Sequence, residues 1–204
     1  MKHNARRIGL FGGSFDPPHL AHLALARCAR EQLALDEVRW LPAGQPWQKT
    51  ERAERRITPA EQRNAMVGLL VAGEPGCVLD ARELVRQGPS YTVDTVRELR
   101  AERPEAEFFL IIGQDQLAHI DTWHAWQELV GLAALAVAPR TGEAVAPAAA
   151  LAAVPHKLNV IDLASMAISS TRIRAMLACG EDIRPMVGDA VAGYIARHRL
   201  YREH

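Results

Sequence analysis

The sequence has no excess of charge of either sign. Lysine plus arginine number 24, aspartate plus glutamate number 24, and the formal net charge is zero. A protein that gathers nucleic acid or anionic membrane through its overall field carries a strong basic excess. We therefore expect no nucleic acid and no membrane among the partners of this chain, and any anion has to be held by a local site.

Long apolar runs and closely spaced cysteines are also missing. No stretch approaches the roughly 20 apolar residues that cross a bilayer, and the apolar run after the basic start is broken at Gly9, which makes it too short for a signal peptide. The cysteines form no CxxC pair that would indicate zinc or redox chemistry. We expect Cys28, Cys77 and Cys179 to be buried thiols in a reducing compartment, and the protein to be cytoplasmic.

Strand-like and helix-like segments alternate along the chain. Apolar runs bounded by turn residues predict strands at residues 8–11, 38–41, 77–79, 108–112, 135–138 and 158–163. Helical spacing predicts helices at residues 20–33, 59–71, 92–103, 123–130, 171–179 and 187–198. This alternation predicts an α/β fold with a Rossmann-like, doubly wound, mainly parallel sheet and helices on both faces. The length favours a single domain over residues 1–204.

Two irregular segments interrupt the alternation. Residues 42–56 are polar and basic and follow the second predicted strand. Because open parallel sheets bind ligands beyond the carboxyl ends of their strands, this segment is a candidate lid. Residues 141–155 are rich in alanine and carry little charge, which predicts a surface excursion or a short helix.

The stretch GLFGGSFDPPHLAHLALA, residues 9–26, joins the first predicted strand to the first predicted helix. Gly12 and Gly13 allow a tight turn and let a ligand approach the backbone N–H groups closely. Asp16 suits an N-cap and Pro17 suits the first helical position, so we predict a helix from about Pro17. The helix N-terminus, with unpaired amides and the positive end of the dipole, predicts a phosphate site at the glycine turn.

His19 and His22 stand three residues apart, on one face of this predicted helix. Both imidazoles can meet one bound phosphate, and a phosphate draws an imidazole toward its protonated form. Helical histidine pairs also occur as surface pairs and in metal sites. A zinc site needs a third ligand, and no glutamate or cysteine stands at helical spacing beside this pair. We therefore predict phosphate binding here and no metal site.

The stretch ISSTRIR, residues 168–174, follows the last predicted strand. Ser169, Ser170 or Thr171 can cap the next helix, whose N-terminus is a second anion site, while Arg172 and Arg174 add forked donors. An ordinary capped helix with solvent-facing arginines has the same pattern, so this stretch alone does not decide. The chain has no GxGxxG, no GxxxxGK[ST] and no GxSxG, which excludes the usual dinucleotide-binding turn, the P-loop and the hydrolase elbow.

GGSFDPPHLAH, residues 12–22, resembles the N-terminal motif of the nucleotidyltransferase superfamily, whose HxGH element binds ATP phosphates. The resemblance is closest to the bacterial nicotinate-nucleotide adenylyltransferases, and ISSTRIR is similar to their ISSTxIR motif, in which Arg174 matches the arginine. Ala21 departs from the family's glycine. Alanine is the next smallest residue and a better helix former, so we expect slightly less room beside the phosphates and retained activity. The resemblance implies His19, His22 and Arg174 as catalytic residues.

The resemblance also implies an ATP site built from both motifs and from the start of IIGQDQLAHIDTWHAW, residues 111–126. The implied ATP-binding residues are Gly12, Gly13, Ser14, Phe15, His22, Gly113, Asp115, Ser169, Ser170, Thr171 and Arg174. Nicotinate mononucleotide is expected at GPSYTVDTV, residues 88–96, and at the end of the longer stretch. Its implied binding residues are Ser14, Lys49, Tyr91, Thr92, Trp123 and His124.

The chemistry of the acceptor fits these positions. A pyridine ring that carries a carboxylate suits an aromatic face, which Trp123 or Tyr91 can supply, and N–H donors, which a helix beginning near Thr122 can supply. We expect Trp126 to pack in the core. Lys49 stands in LPAGQPWQK, where Trp47 and Gln48 replace the proline and histidine usual in the family.

The resemblance implies transfer of the adenylyl group of ATP to nicotinate mononucleotide in NAD biosynthesis, with Mg²⁺ carried by the ATP. Nicotinamide mononucleotide and pantetheine phosphate are alternative acceptors. A non-catalytic nucleotide sensor on the same fold is an alternative of another class, against which the intact histidine pair argues. Class I aminoacyl-tRNA synthetases share the fold, but this chain has no KMSKS-like stretch. A homodimer is left open.

Overall fold

Parallel strands form one six-stranded sheet in the computed structural model, which describes residues 5–45, 57–139, 144–164 and 166–201. The strands are β1 (Arg7–Gly13), β2 (Glu37–Pro42), β3 (Cys77–Leu79), β4 (Glu107–Gly113), β5 (Ala134–Ala138) and β6 (Leu158–Val160). Their order is β3-β2-β1-β4-β5-β6, and every neighbouring pair is parallel. This is the strand order of a doubly wound sheet, so the predicted Rossmann-like fold is confirmed.

Helices cover both faces of this sheet. The helices are α1 (Leu20–Gln32), α2 (Ala60–Val71), α3 (Arg82–Val85), α4 (Thr92–Glu102), α5 (Gln114–Leu117), α6 (Trp126–Leu132), α7 (Ser170–Ala178), α8 (Arg184–Val187) and α9 (Asp189–Arg197), with 3₁₀ turns at Ile120–Thr122 and Ala149–Ala153. Buried residues of α1, α2, α7, α8 and α9 join one apolar core, whereas those of α4, α5 and α6 join a second. Since side chains alternate along β1, Phe11 faces the first core and Leu10 the second.

The first helix begins later than predicted. His19, with extended backbone at φ −152 and ψ 169, is the N-cap of α1, and Asp16 and Pro17 lie before the helix. The prediction of a helix from about Pro17 was therefore wrong. The reason is local: Pro17 is followed by Pro18, and the residue before a proline is disfavoured in the helical region.

Three other element boundaries differ from prediction. The helix expected at 123–130 begins only at Trp126, because Ala125 is left-handed at φ 47 and interrupts helical geometry. The helix expected at 187–198 begins at Asp189, after Gly188 at φ 78, and Val187 instead ends the short helix α8. The strand expected at 158–163 ends at Val160, where its pairing with β5 ends at Val137. The 3₁₀ turn Ala149–Ala153 lies in the segment predicted as an excursion or short helix.

A crevice opens between β1 and β4. These strands pair only as far as Leu10 and Leu110, after which β1 continues alongside β2 to Gly13 and β4 continues alongside β5 to Gly113. The strand order changes direction at this same place, which is where open α/β sheets bind ligands.

The cysteine prediction was wrong for all three thiols. Cys179 is exposed at the end of α7, and Cys28 and Cys77 are only half-buried. Burial is sufficient to raise the pKa of the Cys28 and Cys77 thiols. Among the described residues, none of the helices has the length and apolar character needed to span a membrane.

Candidate active site

A cleft of about 430 Å³ occupies the crevice between β1 and β4. The predicted site residues that line it are Gly12, Gly13, Ser14, Phe15, His22, Thr92, Gly113, Trp123 and Ser170. The other predicted residues that the structure describes lie outside this lining; they are His19, Tyr91, Asp115, His124, Ser169, Thr171 and Arg174. Lys49, Trp47 and Gln48, with the rest of residues 46–56 of the candidate lid, fall outside the described residues.

The glycine turn forms one rim of the cleft. A side chain at Gly12 would meet no atom within 4 Å, so the space beside this residue is open. Phe15 adopts a left-handed backbone at φ 48 and buries its ring against Phe11 and Trp40, with ring centroids 5.5 and 5.4 Å away. This buried ring holds the turn in place while Gly12 and Gly13 keep its backbone accessible.

The histidine pair caps the helix that follows the turn. The Nδ1 atom of His19 accepts a hydrogen bond from the backbone N–H of His22 at 3.3 Å, and Nδ1 of His22 accepts one from the N–H of His19 at 3.2 Å. The two rings stack with centroids 3.5 Å apart. Because each Nδ1 accepts, the proton of each neutral ring belongs on Nε2, which makes Nε2 a hydrogen-bond donor.

His19 is neutral near pH 7. The residue is only 6 % exposed, and burial lowers its pKa from 6.5 to about 4. The expectation that both imidazoles tend toward the protonated form is therefore opposed by burial at His19. A neutral imidazole with its proton on Nε2 still donates a hydrogen bond to a phosphate oxygen.

The C-terminal motif contacts the N-terminal motif directly. Ser169 is the N-cap of α7, and its hydroxyl accepts from the N–H of Arg172 at 3.2 Å. The hydroxyl of Ser170 donates to the carbonyl of Pro17 at 2.8 Å. These contacts place the first turn of α7 against the segment that leads into α1.

Arg174 and Tyr201 add to the same contact. The Arg174 guanidinium donates to the carbonyl of Asp16 at 2.7 Å and to the hydroxyl of Thr171 at 3.2 Å. The Tyr201 hydroxyl donates to the Asp16 carboxylate at 2.7 Å. Arg172 instead is exposed and donates to the carbonyl of Ala167. The two predicted motifs, which are about 150 residues apart, thus meet beside the cleft.

The far end of the cleft holds Thr92 and Trp123. Trp123 follows the 3₁₀ turn Ile120–Thr122 in extended geometry, so no helix begins near Thr122 and that prediction was wrong. The indole Nε1 of Trp123 is buried without a hydrogen-bond partner within the described part of the chain. Trp126 is buried in the second core, and this confirms the expectation that it packs.

Tyr91 and His124 stack on each other beside this end, with ring centroids 4.3 Å apart. His124 is exposed and Tyr91 is half-buried. Gly113 ends β4 and precedes the short helix α5, on which Asp115 is exposed. The carbonyl of Asp115 lies 2.9 Å from the imidazole Nδ1 of His119.

Sequence reasoning missed the buried polar residues around the cleft. Glu83 lines the cleft, is 6 % exposed and accepts a hydrogen bond from the hydroxyl of Thr95 at 2.7 Å. Burial raises the pKa of its carboxyl. The Ser90 hydroxyl also lines the cleft and accepts from the N–H groups of Gly44 and Gln45 at 3.0 and 3.2 Å.

Arg63 is the third missed residue and is 1 % exposed. A signal for it exists in the sequence, because Arg63 stands at helical spacing with Met66, Val67 and Leu70, which are all core residues of α2. An arginine in register with such an apolar face has to be buried when the helix packs.

The described residues hold no group of three or more histidine, cysteine, aspartate or glutamate side chains that could bind a metal ion. At the cleft, the Glu83 carboxylate is bonded to Thr95, and near its rim the Asp16 carboxylate is bonded to Tyr201. The donors of the lining suit an anion, because the backbone of the glycine turn, the His22 imidazole and serine hydroxyls border the space.

Comparison with known proteins identifies the family of the chain. The sequence profile of the Cytidylyltransferase-like family matches residues 10–176. The chain is 49 % identical over 200 residues to a probable nicotinate-nucleotide adenylyltransferase of Methylibium petroleiphilum, covering 96 % of this chain and 92 % of that protein. It is 47 % identical over 201 residues to a probable nicotinate-nucleotide adenylyltransferase of Bordetella petrii, covering 97 % of this chain and all of that protein, 100 %.

The fold also matches a solved structure. Plasmodium falciparum nicotinic acid mononucleotide adenylyltransferase complexed with NaAD superposes with a TM-score of 0.75, at 20 % sequence identity and over 96 % of this chain and 97 % of that one. At this identity the match shows a shared fold. The curated relatives and the profile together confirm the resemblance that the two motifs carry: the chain belongs to the Cytidylyltransferase-like family and, within it, to the nicotinate-nucleotide adenylyltransferases.

Proposed function

We propose that this protein transfers the adenylyl group of ATP to nicotinate mononucleotide. A phosphate oxygen of the mononucleotide attacks the α-phosphorus of ATP in line. The bond from that phosphorus to the oxygen that bridges to the β-phosphate breaks, and pyrophosphate leaves with the bonding electrons. The other product is nicotinate adenine dinucleotide, a precursor of NAD.

The reaction needs little covalent chemistry from the protein. A phosphate monoester is already a nucleophile near neutral pH, so no general base and no covalent intermediate are required. Catalysis then consists of holding both substrates in line and stabilising the charge that develops on the transferring phosphoryl group. Backbone amides, imidazoles and a guanidinium are suited to both tasks.

One observation carries the proposal: the two motifs of the chain are bonded to each other beside a single cleft. Ser170 and Arg174 donate to the carbonyls of Pro17 and Asp16, immediately before the histidine pair. The same cleft extends to Thr92 and Trp123. A triphosphate at the first end and a pyridine nucleotide at the second would meet at the glycine turn.

The proposed roles follow from this arrangement. His19 and His22 stabilise the α-phosphoryl group and the departing pyrophosphate, and Arg174 acts from the opposite side. The remaining ATP-binding residues are Gly12, Gly13, Ser14, Phe15, Gly113, Asp115, Ser169, Ser170 and Thr171. Nicotinate mononucleotide is held by Ser14, Lys49, Tyr91, Thr92, Trp123 and His124.

Mg²⁺ enters this proposal as part of the substrate. The carboxylates at the cleft and its rim, Glu83 and Asp16, are bonded to Thr95 and Tyr201, so they are poorly placed to form a cage for the ion. Mg²⁺ commonly keeps most of its water ligands and binds through substrate phosphates. We therefore propose that ATP is used as its Mg²⁺ complex.

The test is pyrophosphate release from ATP and Mg²⁺ with nicotinate mononucleotide, nicotinamide mononucleotide or pantetheine phosphate as the only acceptor. We expect release with nicotinate mononucleotide and much slower release with the other two. Faster release with another acceptor would reassign the substrate. If no acceptor supports release although ATP binds in calorimetry, the protein is a nucleotide sensor and the proposed transfer is wrong.

A further inference from the structure

Arg63 is a buried cation whose described hydrogen bonds all go to backbone carbonyls. Its Nε donates to Thr58 at 2.8 Å, its Nη1 to Ser14 at 2.7 Å, and its Nη2 to Ala43 at 2.6 Å and Gly44 at 3.2 Å. Burial lowers the pKa of the guanidinium, but an arginine in a protein stays protonated. A full positive charge therefore lies behind the cleft wall.

The carbonyls that Arg63 binds belong to three separate segments. Ser14 lies in the turn after β1, Ala43 and Gly44 lie in the loop after β2, and Thr58 precedes α2. Ser14 and Ala43 both line the cleft. One side chain thus joins the two loops that leave neighbouring strands at the binding end of the sheet.

The bonds to Arg63 also fix the direction of the N–H groups. A trans peptide is planar, with its C=O and N–H pointing to opposite sides. With the Ser14 carbonyl held by Arg63, the N–H of Phe15 points away from the guanidinium. In the loop after β2, both polar groups of two successive peptide units are hydrogen-bonded. The carbonyls of Ala43 and Gly44 accept from Arg63. On the opposite side, the N–H groups of Gly44 and Gln45 donate to the Ser90 hydroxyl.

A buried guanidinium such as that of Arg63 is energetically unfavourable at a core position. Removing a guanidinium from water carries a desolvation penalty, which an apolar residue on this face of α2 would avoid. Its five N–H donors in a fixed fork are well suited to holding several carbonyls in one relative geometry. The bonds it makes are therefore better explained by positioning than by stability.

We propose that Arg63 is a positioning residue for nucleotide binding and adenylyl transfer, which holds the Ser14–Phe15 turn and the Ala43–Gln45 loop in one arrangement. The adenylyl-transfer part of this inference rests on the proposed function. The nucleotide-binding part does not rest on the proposed function, because a nucleotide at the glycine turn would depend on the position of that turn whichever acceptor is used.

The test compares Arg63→Lys and Arg63→Gln with the unchanged protein. Lysine keeps the charge but concentrates its donors at one atom, so it cannot reach all three segments. Arg39→Gln is the matched control, because Arg39 is also largely buried and pairs with Glu37 and Asp80 at 2.8 and 2.9 Å, away from the cleft. Each variant is measured for its thermal midpoint, its affinity for ATP by calorimetry, and kcat and KM for pyrophosphate release.

We expect Arg63→Lys to remain folded, to bind ATP at least about 10-fold more weakly and to lose about 10²-fold in kcat/KM, the size of effect that a small misplacement of reacting groups produces. Arg39→Gln should lower the thermal midpoint and leave ATP affinity, kcat and KM unchanged. If folded Arg63 variants keep the ATP affinity and kinetics of the unchanged protein, the positioning role is wrong.

Two further outcomes separate this inference from the proposed function. If neither Arg63 variant folds, the arginine is a requirement of the fold and the positioning role is also overturned. If the unchanged protein releases no pyrophosphate with any acceptor, the proposed function fails, and the comparison of ATP affinities still decides the role of Arg63.

Discussion

His19 and His22 each accept, on Nδ1, a hydrogen bond from the backbone N–H of the other. This reciprocal arrangement has the geometry of a capping box, in which two helix-terminal N–H groups are satisfied by side chains three residues apart. The spacing therefore serves two purposes at once. It caps α1, and it places the proton of each neutral ring on Nε2, which makes that nitrogen a hydrogen-bond donor.

Replacing His22 with alanine tests the catalytic role. Removal of one donor to a developing charge typically costs about 2.7 to 4 kcal/mol, so we predict that His22→Ala loses roughly 10²-fold or more in kcat. The variant also loses the hydrogen bond that His22 accepts as part of the cap. Steady-state pyrophosphate release measures the loss, and urea unfolding shows that the variant is folded.

His22→Gln separates capping from catalysis, since glutamine suits this position of a capping box but has no imidazole. We expect it to recover stability relative to His22→Ala without recovering kcat. His156→Ala is the comparison variant, because His156 is exposed, lies outside the cleft lining, and has its ring Nδ1 2.8 Å from the carbonyl of Val154. Turnover close to the unchanged protein in either His22 variant would remove His22 from the proposed mechanism.

The low pKa of His19 predicts a loss of stability in mild acid. Folding lowers the pKa from 6.5 to about 4, so between these values the unfolded chain binds a proton that the folded protein does not. The contribution is fully present above the unfolded pKa and is lost as the pH falls from about 6.5 toward 4.

The variant for this measurement is His19→Asn, which keeps a capping side chain but does not titrate. Between about pH 7 and about pH 4.5 the unchanged protein should lose about 2 kcal/mol more of its free energy of unfolding than His19→Asn loses. Urea unfolding at the two pH values supplies the numbers. Equal losses in the two proteins would show that His19 is not held neutral by the fold.

Features encoded by neighbouring residues were predictable from the sequence. Two glycines follow an apolar strand, and a serine precedes an amphipathic helix. Each pattern specifies a turn within a few residues, and both motifs lie where the alternation of strands and helices predicts. The start of α1 was misplaced although its signal is equally local, because Pro18 excludes Pro17 from helical geometry. Ala125 gives no such signal, since alanine rarely adopts the left-handed backbone that here delays the start of the predicted helix to Trp126.

Features that depend on distant partners were not predictable. Arg63 is 49 residues from Ser14 in the sequence, and its acceptors are backbone carbonyls, which every residue has. Glu83 is buried where Ser90, which lies just before α4, and Thr95, which lies on α4, come beside its carboxyl. No short pattern encodes such contacts, and only the packed structure shows that these polar side chains support the cleft.

Gly44 provides a test of how tightly the second loop is held. A methyl group on Gly44 would stand 2.2 Å from the backbone carbonyl oxygen of Glu83, which cannot move without shifting α3. We predict that Gly44→Ala costs about 1 to 3 kcal/mol of the free energy of unfolding, as overpacking usually does, and that it weakens activity as well. Urea unfolding and pyrophosphate release are the measurements.

Gly193→Ala is the matched control, because Gly193 lies within α9 and a methyl group there meets no atom within 4 Å. Alanine is the better helix former, so this substitution should stabilise the protein by about 0.5 to 1 kcal/mol and leave kinetics unchanged. If Gly44→Ala leaves the free energy of unfolding and the activity unchanged, the loop after β2 adapts easily. That result would weaken the case that Arg63 and Ser90 hold the loop rigidly.

Trp123 and Trp126 are three residues apart but should respond to substitution in opposite ways. Trp123 lines the cleft, so Trp123→Ala should raise the KM for nicotinate mononucleotide about 10-fold, in line with the roughly 1 to 3 kcal/mol of a stacked aromatic base. Its KM for ATP should change little, and because Trp123 is only partly buried against the second core, its stability should fall less than that of Trp126→Ala. Trp126 is 9 % exposed in the second core, so Trp126→Ala should cost about 3 to 5 kcal/mol of stability.

The comparison of the two tryptophans isolates the acceptor end of the cleft. Because Trp123 is distant in sequence from both motifs of the proposed ATP site, a selective rise in the KM for the mononucleotide separates acceptor binding from ATP binding. An equal rise in both KM values would mean that Trp123 supports the whole cleft rather than the pyridine ring. An unchanged KM for the mononucleotide, in a folded Trp123→Ala protein, would place the acceptor elsewhere and leave Thr92 without its proposed partner.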